Sequence, residues 1–361
     1  MLKILLIAFC CIAIYPIRNR SIDRLLGTVL GCLCILIFVG NNASPDQAAY
    51  LAEYNKPGSE YFEWGYNLVC TPFRKLGFSY LQFKVFASAF IILGLSLRFE
   101  TIEVRHLSIV LLLWITTSFF FDAEQSRFFF ASILVLCGTK FLEEKSFKNA
   151  ILFSAFVLLS TQIHTLCYIY LLLLLVYCKE KVLFVLSAVG VATTLFVFLV
   201  LGNDLSIVGK ILYKITKIER VKLWFGQSTR FGWLGPVAVQ SGTFALLWYG
   251  KKVVDERKDT LSENTVSFYR TVYKISYALF FVLPLYCIAT DFIRIIRGVM
   301  ILYYVAVLLA FYHAKPKQKL FLGLGMVTFV LLFSVQGHSG ILINNEYWNI
   351  FFTKNSFTWL R

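Results

Sequence analysis

Long apolar runs separated by short polar stretches set the pattern of this chain. They fall near 2–16, 25–40, 80–97, 107–121, 128–142, 150–164, 165–178, 182–201, 233–250, 268–290, 293–313 and 320–337. A bilayer-spanning helix takes about 20 residues, so the pattern predicts about twelve membrane helices, several of them short. Residues 150–178 are too many for one span, and His164 and Thr165 in their middle predict a tight hairpin. One Lys precedes the first run, Arg18, Arg20 and Arg24 follow it, and no A-x-A site is present. That order predicts a retained first helix, not a cleaved leader.

Composition sharpens the class. The 361 residues are 58% hydrophobic and 17% aromatic, only 15% are charged, and mean hydropathy is +0.72. One soluble core could not bury so much apolar surface, and a disordered chain would be rich in charge and poor in aromatics. The expected fold is all-α: a single polytopic membrane domain over 1–361 with no internal repeat. The nine Cys lie mostly in apolar runs without a CxxC pair, so they read as small buried hydrophobes. No nucleotide or metal motif occurs, and neither cofactor nor metal is expected.

Net charge is +15. In a soluble protein this would point to nucleic acid; here it reads first as positive-inside bias. Basic clusters recur at every second loop: Arg18/Arg20/Arg24, Arg98/Arg105, Lys140/Lys145/Lys148, Lys179/Lys181, Lys251/Lys252/Arg257/Lys258 and Lys315/Lys317/Lys319. If those loops are cytoplasmic, both termini and segments 41–79, 122–127, 202–232 and 338–361 lie on the other side.

The polar exceptions gather on that outer side. Segment 202–232 carries Lys210, Lys214, Lys217, Arg220, Lys222 and Arg230 where the topology rule predicts few positive charges. Lys210, Lys214 and Lys217 would share a helix face beside a stripe of Ile207, Ile211, Ile215 and Ile218. Two compatible readings follow: an amphipathic helix on anionic lipid, or a cationic surface for an anionic substrate. Arg127 opens one apolar run, and Arg294 and Arg297 open another. Intramembrane arginines cost a few kcal/mol on insertion scales and face partners or cavities. They would pair with Glu124 or Asp291, or bind phosphate oxygens bidentately.

Asp46, Tyr50 and Tyr54 are spaced i, i+4, i+8, one stripe of a helix. Glu63 sits among Tyr61, Phe62, Trp64 and Tyr66, a context that suits interfacial packing or sugar stacking. Asp46 would serve as an N-cap after Pro45 or as a catalytic acid or base. His164 stands at an outer helix end, as an interfacial residue or a proton acceptor.

These motifs, in this order from about 40 to 300, resemble the EpsG family of polysaccharide polymerases, itself similar to the Wzy-type polymerases. The resemblance rests on D-x3-Y-x3-Y at Asp46, Tyr50 and Tyr54, Glu63 in YFEWGYNLV, Arg127 opening a Phe/Ala-rich helix, His164 between two spans, and F-x-R-x-x-R at Phe292, Arg294 and Arg297. It implies a multi-pass bacterial inner-membrane glycosyltransferase, similar to the GT-C type. The donor would be a glycan on undecaprenyl diphosphate, joined without metal to a second lipid-linked repeat unit. A flippase and a chain-length regulator would be further partners. The residue chemistry agrees. Arg127, Arg294 and Arg297 are candidates for a diphosphate clamp, and Lys210, Lys214, Lys217, Arg220, Tyr50 and Tyr54 for a substrate or lipid surface. His164 is the first candidate base, with Asp46 and Glu63 as alternatives. A lipid-linked oligosaccharide flippase or exporter and a membrane O-acyltransferase of polysaccharide remain as other classes.

Overall fold

A computed structural model of the protein describes residues 2–13, 19–58, 62–99, 102, 106–216, 225, 231–338 and 349–357. Every regular element among them is helical. The first part of the chain forms α1 (Leu2–Ala13), α2 (Arg20–Gly40), α3 (Pro45–Asn55), α4 (Trp64–Lys75), α5 (Tyr80–Phe99) and α6 (Leu107–Thr116). Then follow α7 (Phe119–Glu124), α8 (Ser126–Gly138), α9 (Phe147–Thr161), α10 (Glu180–Leu199) and α11 (Ser206–Thr216).

Local chemistry explains several helix starts. Asn19 caps α2 by accepting from the amides of Ser21 and Ile22. Ser79 and Gln82 exchange bonds in a capping box that opens α5. The first amide of α6, Leu107 N, is taken at 2.9 Å by Asp23 of α2, so a carboxylate from another helix acts as its cap.

Leu26, Leu30, Leu33 and Ile37 of α2 are buried at helical spacing, while Ile22 and Leu25 face outward. α10 and the helix Pro316–His338 likewise expose Phe184, Val185, Leu324 and Val327. Outward apolar faces of this kind are what lipid covers. The centre is the helix Met300–His313, whose residues from Met300 to Ala310 are all buried. A helix apolar all round belongs in a core, and this one packs against α6, Leu234–Glu256 and Glu263–Ala278.

Among the described residues, four helices are long and apolar enough to cross a membrane: Arg20–Gly40, Tyr80–Phe99, Glu180–Leu199 and Pro316–Phe333. The bent pair Thr290–Arg297 and Met300–His313, joined at 56°, makes a fifth if read as one span. The apolar pattern predicts about twelve. The difference is physical: several runs fold as shorter or interrupted helices. The run 268–290 breaks into Glu263–Ala278, a 3₁₀ turn and Pro284–Ile288. Segment Thr165–Tyr177 is wound as a 3₁₀ helix of 13 residues; at a rise of roughly 2.0 Å per residue it reaches about 26 Å. With α9 it forms the hairpin expected around His164.

The C-terminal stretch returns to the far end of α2. Ser356 N donates to Gly40 O at 2.8 Å, the Asn42 amide bonds Ser356 Oγ, and Phe351 packs edge-on against Phe120.

Candidate functional site

The site is assembled from five short stretches at that end of the bundle. Pro45 occupies the first turn of α3, where its missing N–H costs nothing, and Asp46 follows it. Ser44, not Asp46, holds the N-cap position. Gln47 is fully buried and anchors α3: its Nε2 lies 3.2 Å from Ala123 O, 2.9 Å from Glu124 O and 2.7 Å from Ser126 Oγ. Tyr80 donates to Gln47 Oε1 at 3.0 Å. Buried Lys84 holds the preceding loop through Asn41 O at 2.6 Å and Asn42 Oδ1 at 2.7 Å. The start of α3 is thereby fixed to the turn that presents Arg127.

Glu63 reaches the same place from the start of α4. Gly65 permits this, because a Cβ there would overlap the Gln162 carbonyl, to which Tyr66 N donates at 3.2 Å. Arg127 bonds one Glu63 oxygen, while the other accepts from Thr165 N and Thr165 Oγ1, both at 2.8 Å. The Arg127 guanidinium lies 4.5 Å from the centre of Phe62 and within 6 Å of Tyr50 and Tyr66. Such aromatic faces stabilise a cation held away from water.

Arg294 and Arg297 come from the bent pair. Its break falls at Gly298, where a Cβ would overlap the Tyr170 hydroxyl. That hydroxyl donates to Ile295 O at 2.8 Å, satisfying a carbonyl in the short helix before the break. Arg297 is buried, with Nε 3.5 Å from Asp122 Oδ1 and NH2 2.6 Å from Gln125 Oε1. Trp114 and Ser118 both donate to the other Asp122 oxygen, each at 2.9 Å. Arg294 pairs at 2.9 Å with Asp291, whose side chain is 70% exposed. This is the one guanidinium of the three whose carboxylate partner stands in the open.

Asp46 faces this group. Burial raises its carboxyl above the usual carboxylate range, and the charges of Arg294 and Arg127 and a bond from the Tyr50 hydroxyl pull it back down. Burial also pushes the Tyr50 hydroxyl upward. Three guanidiniums thus meet four carboxylates: Asp46, Glu63, Asp122 and Asp291. Arg127 and Arg297 are neutralised by inward-facing acids, so the group is not a bare cationic clamp.

Residues 24–349 match the EpsG family. The chain belongs to the EpsG family. This is a Wzy-type polymerase-like family, which gives the chain a polysaccharide-polymerase-like, membrane-embedded role. No curated protein and no solved structure matches the chain. In this EpsG family member, Asp46, Glu63, Arg127, His164, Arg294 and Arg297 come together from segments spread over most of the matched length.

His164 joins the group in a particular way. Its Nδ1 accepts from Leu166 N at 3.3 Å, capping the 3₁₀ helix, and its ring meets Phe128 edge-on at 5.2 Å. In the neutral ring the proton then sits on Nε2, the donor tautomer. Tyr54 points away and donates to Phe78 O at 2.8 Å. Lys210 and Lys214 lie exposed on α11 beside the outward stripe Ile207, Ile211 and Ile215, and no contact joins them to the arginines among the described residues. Lys217 and Arg220 lie outside the described residues.

Asp122, Gln125, Gln47 and Thr165 belong to the site and are not evident from motif spacing. Asp122 did carry a signal: an acid directly after an apolar run, in FFFDAEQSR. Its partner lies 175 residues away in sequence, which no local pattern reveals.

Proposed function

We propose that this protein joins lipid-linked oligosaccharide repeat units into a surface polysaccharide at the extracytoplasmic face of a bacterial inner membrane. The donor is a glycan on undecaprenyl diphosphate and the acceptor is a sugar hydroxyl of a second lipid-linked unit. The observation that carries this reading is the convergence of Asp46 with Arg294 and Arg127 at a broken membrane helix. Broken helices at membrane depth are tolerated where they line a polar site.

In the step proposed here, Asp46 takes the proton from the acceptor hydroxyl. The freed oxygen forms a bond to the anomeric carbon, and the bond from that carbon to the diphosphate oxygen breaks. The electron pair leaves on the diphosphate, whose charge Arg294 takes up by exchanging exposed Asp291 for phosphate oxygens. Arg127 and Arg297, tied to Glu63 and Asp122, position the site and add positive potential. Asp46 is preferred to His164 as base because the Nδ1 lone pair already accepts from Leu166 N. Glu63 is held by Arg127 and Thr165 and acts as an anchor.

A deletion strain assayed for lipid-linked glycan length tests the reading. Loss of a polymerase leaves single repeat units on the outer leaflet. An empty outer leaflet would indicate a flippase instead, and an unchanged ladder lacking acyl groups would indicate an acyltransferase.

A further inference from the structure

The arginines and carboxylates of the site all come from upstream of residue 298, yet the C-terminal stretch 349–357 is fastened to the segment from which α3 starts. The last carbonyls of a helix need donors from outside it, and α2 takes two from this stretch. Ser356 N donates to Gly40 O at 2.8 Å, and Asn355 Nδ2 lies 3.5 Å from Ile37 O. Asn355 is buried, and the stretch is folded around its side chain: Nδ2 donates to Phe351 O at 3.0 Å and Oδ1 accepts from Phe357 N at 2.9 Å. Gly40 makes room for it, because a Cβ there would overlap the Asn355 amide.

The contacts continue into the turn 41–44. Asn42 is gripped from two sides, its Oδ1 by Lys84 at 2.7 Å and its Nδ2 by Ser356 Oγ. Asn41 Nδ2 reaches Ser44 Oγ at 3.1 Å and Ala123 O at 3.4 Å. Bonds therefore run from Asn355 and Ser356 to the residues just before Asp46. α3 needs that support. Its 11 residues fall short of the roughly 12–15 that an isolated helix needs in water, and the Ser44 side chain makes no capping bond to it. The place of Asp46 is set by what holds the first turn of α3: Gln47 on one side and the turn 41–44 on the other.

We propose that Asn355 and Ser356 are positioning residues for Asp46: by capping α2 and holding Asn42, they set the turn that starts α3 and so the placement of the base against the acceptor hydroxyl. This rests on the reading of Asp46 as the base. A reacting group displaced by about 1 Å can cost roughly a hundredfold in rate, so contacts made outside the site are sufficient to govern it.

The test uses the full-length protein in vesicles with undecaprenyl-diphosphate-linked repeat units, scored as linkages formed per folded molecule. Asn355→Leu should lower kcat about ten- to a hundredfold and leave KM unchanged, because Arg294 stands on another element. Ser356→Ala should lower kcat about two- to tenfold, whereas Ser356→Thr keeps the hydroxyl and should retain it. Exposed Lys354→Ala should change nothing. Arg294, Arg127, Asp291 and the Tyr50 hydroxyl act on the Asp46 carboxyl, but burial is the largest influence. A loosened α3 lets water reach that carboxyl, so in Asn355→Leu the acid limb of kcat should move down toward the ordinary 3.8. Wild-type kcat in Asn355→Leu, or a lowered kcat with the limb unmoved, would overturn the proposal and leave the polymerase reading standing. A loss confined to the melting temperature would overturn it too, in favour of a clasp that only stabilises the fold. Absence of linkages with the wild-type protein would bring down the polymerase reading, and this proposal with it. Should Asn355→Leu fail to fold, judged by its melting curve, Ser356→Ala set against Ser356→Thr decides.

Discussion

Glu63 and Arg127, 64 residues apart in the chain, form an ion pair in which both side chains are close to buried. The pair joins the start of α4 to the start of α8, and through Thr165 it also holds the 3₁₀ helix. Removing one partner leaves a desolvated charge, which typically costs about 3–5 kcal/mol. Glu63→Gln and Arg127→Gln should each lower the melting temperature and the abundance of the protein. The double variant should be less destabilised than the sum, by about 1–3 kcal/mol of coupling. Strict additivity in denaturation of the purified variants would show that the pair is not coupled.

The two late arginines should behave differently. Arg294 faces an exposed partner, so Arg294→Lys should leave abundance unchanged while polymer formation falls about ten- to a hundredfold, as loss of a charge-assisted contact worth about 1.5–3 kcal/mol implies. Arg297→Ala should reduce abundance, because buried Asp122 loses its cation. Adding Asp122→Asn should restore part of the protein level. Immunoblots beside polymer ladders separate the two effects.

Asp46 supplies a pH prediction. Its carboxyl is raised from the ordinary 3.8, chiefly by burial. Polymer formation should fall on acidification, along a limb centred above 3.8. Arg294→Gln removes a charge that pulls the carboxyl down, so that limb should move to higher pH. Stability has the opposite sign. A raised native pKa means the native state binds protons better, so Asp46 contributes most at low pH and its contribution is lost as pH rises through the raised value. Asp46→Asn should therefore be inactive yet melt higher than wild type at neutral pH, with the difference shrinking on acidification. An inactive variant that melts lower at pH 7 would contradict the sign.

His164 tests the choice of base. Asn can accept from Leu166 N in place of Nδ1 but cannot take up a proton at neutral pH. His164→Asn should keep most polymer, and His164→Ala should lose protein through the broken cap, which is worth about 1 kcal/mol. Normal abundance with no polymer in His164→Asn would return the base to the imidazole.

Much of the site was legible because its residues break the apolar pattern. Arg127, Arg294 and Arg297 stand out as charges at the starts of hydrophobic runs, and the i, i+4 spacing of Asp46 and Tyr50 follows from the helix that forms there. Partner choice was not legible. Sequence proximity favours Arg127 with Glu124, whereas the fold brings Glu63 from far upstream. The span count exceeded the long helices because apolar composition alone cannot tell a straight 20-residue helix from one interrupted by Pro284 or broken at Gly298. The 3₁₀ winding of Thr165–Tyr177 leaves no mark in hydropathy.

The central claim is glycosyl transfer between lipid-linked units, driven by Asp46 and Arg294. Its most direct test reconstitutes the purified protein in vesicles with undecaprenyl-diphosphate-linked repeat units and measures glycan length and free undecaprenyl diphosphate together. The account predicts chains of two or more units, one undecaprenyl diphosphate released per linkage formed, and neither product with Asp46→Asn. Single units that only change leaflet, or chain growth unaffected by Asp46→Asn, would contradict it.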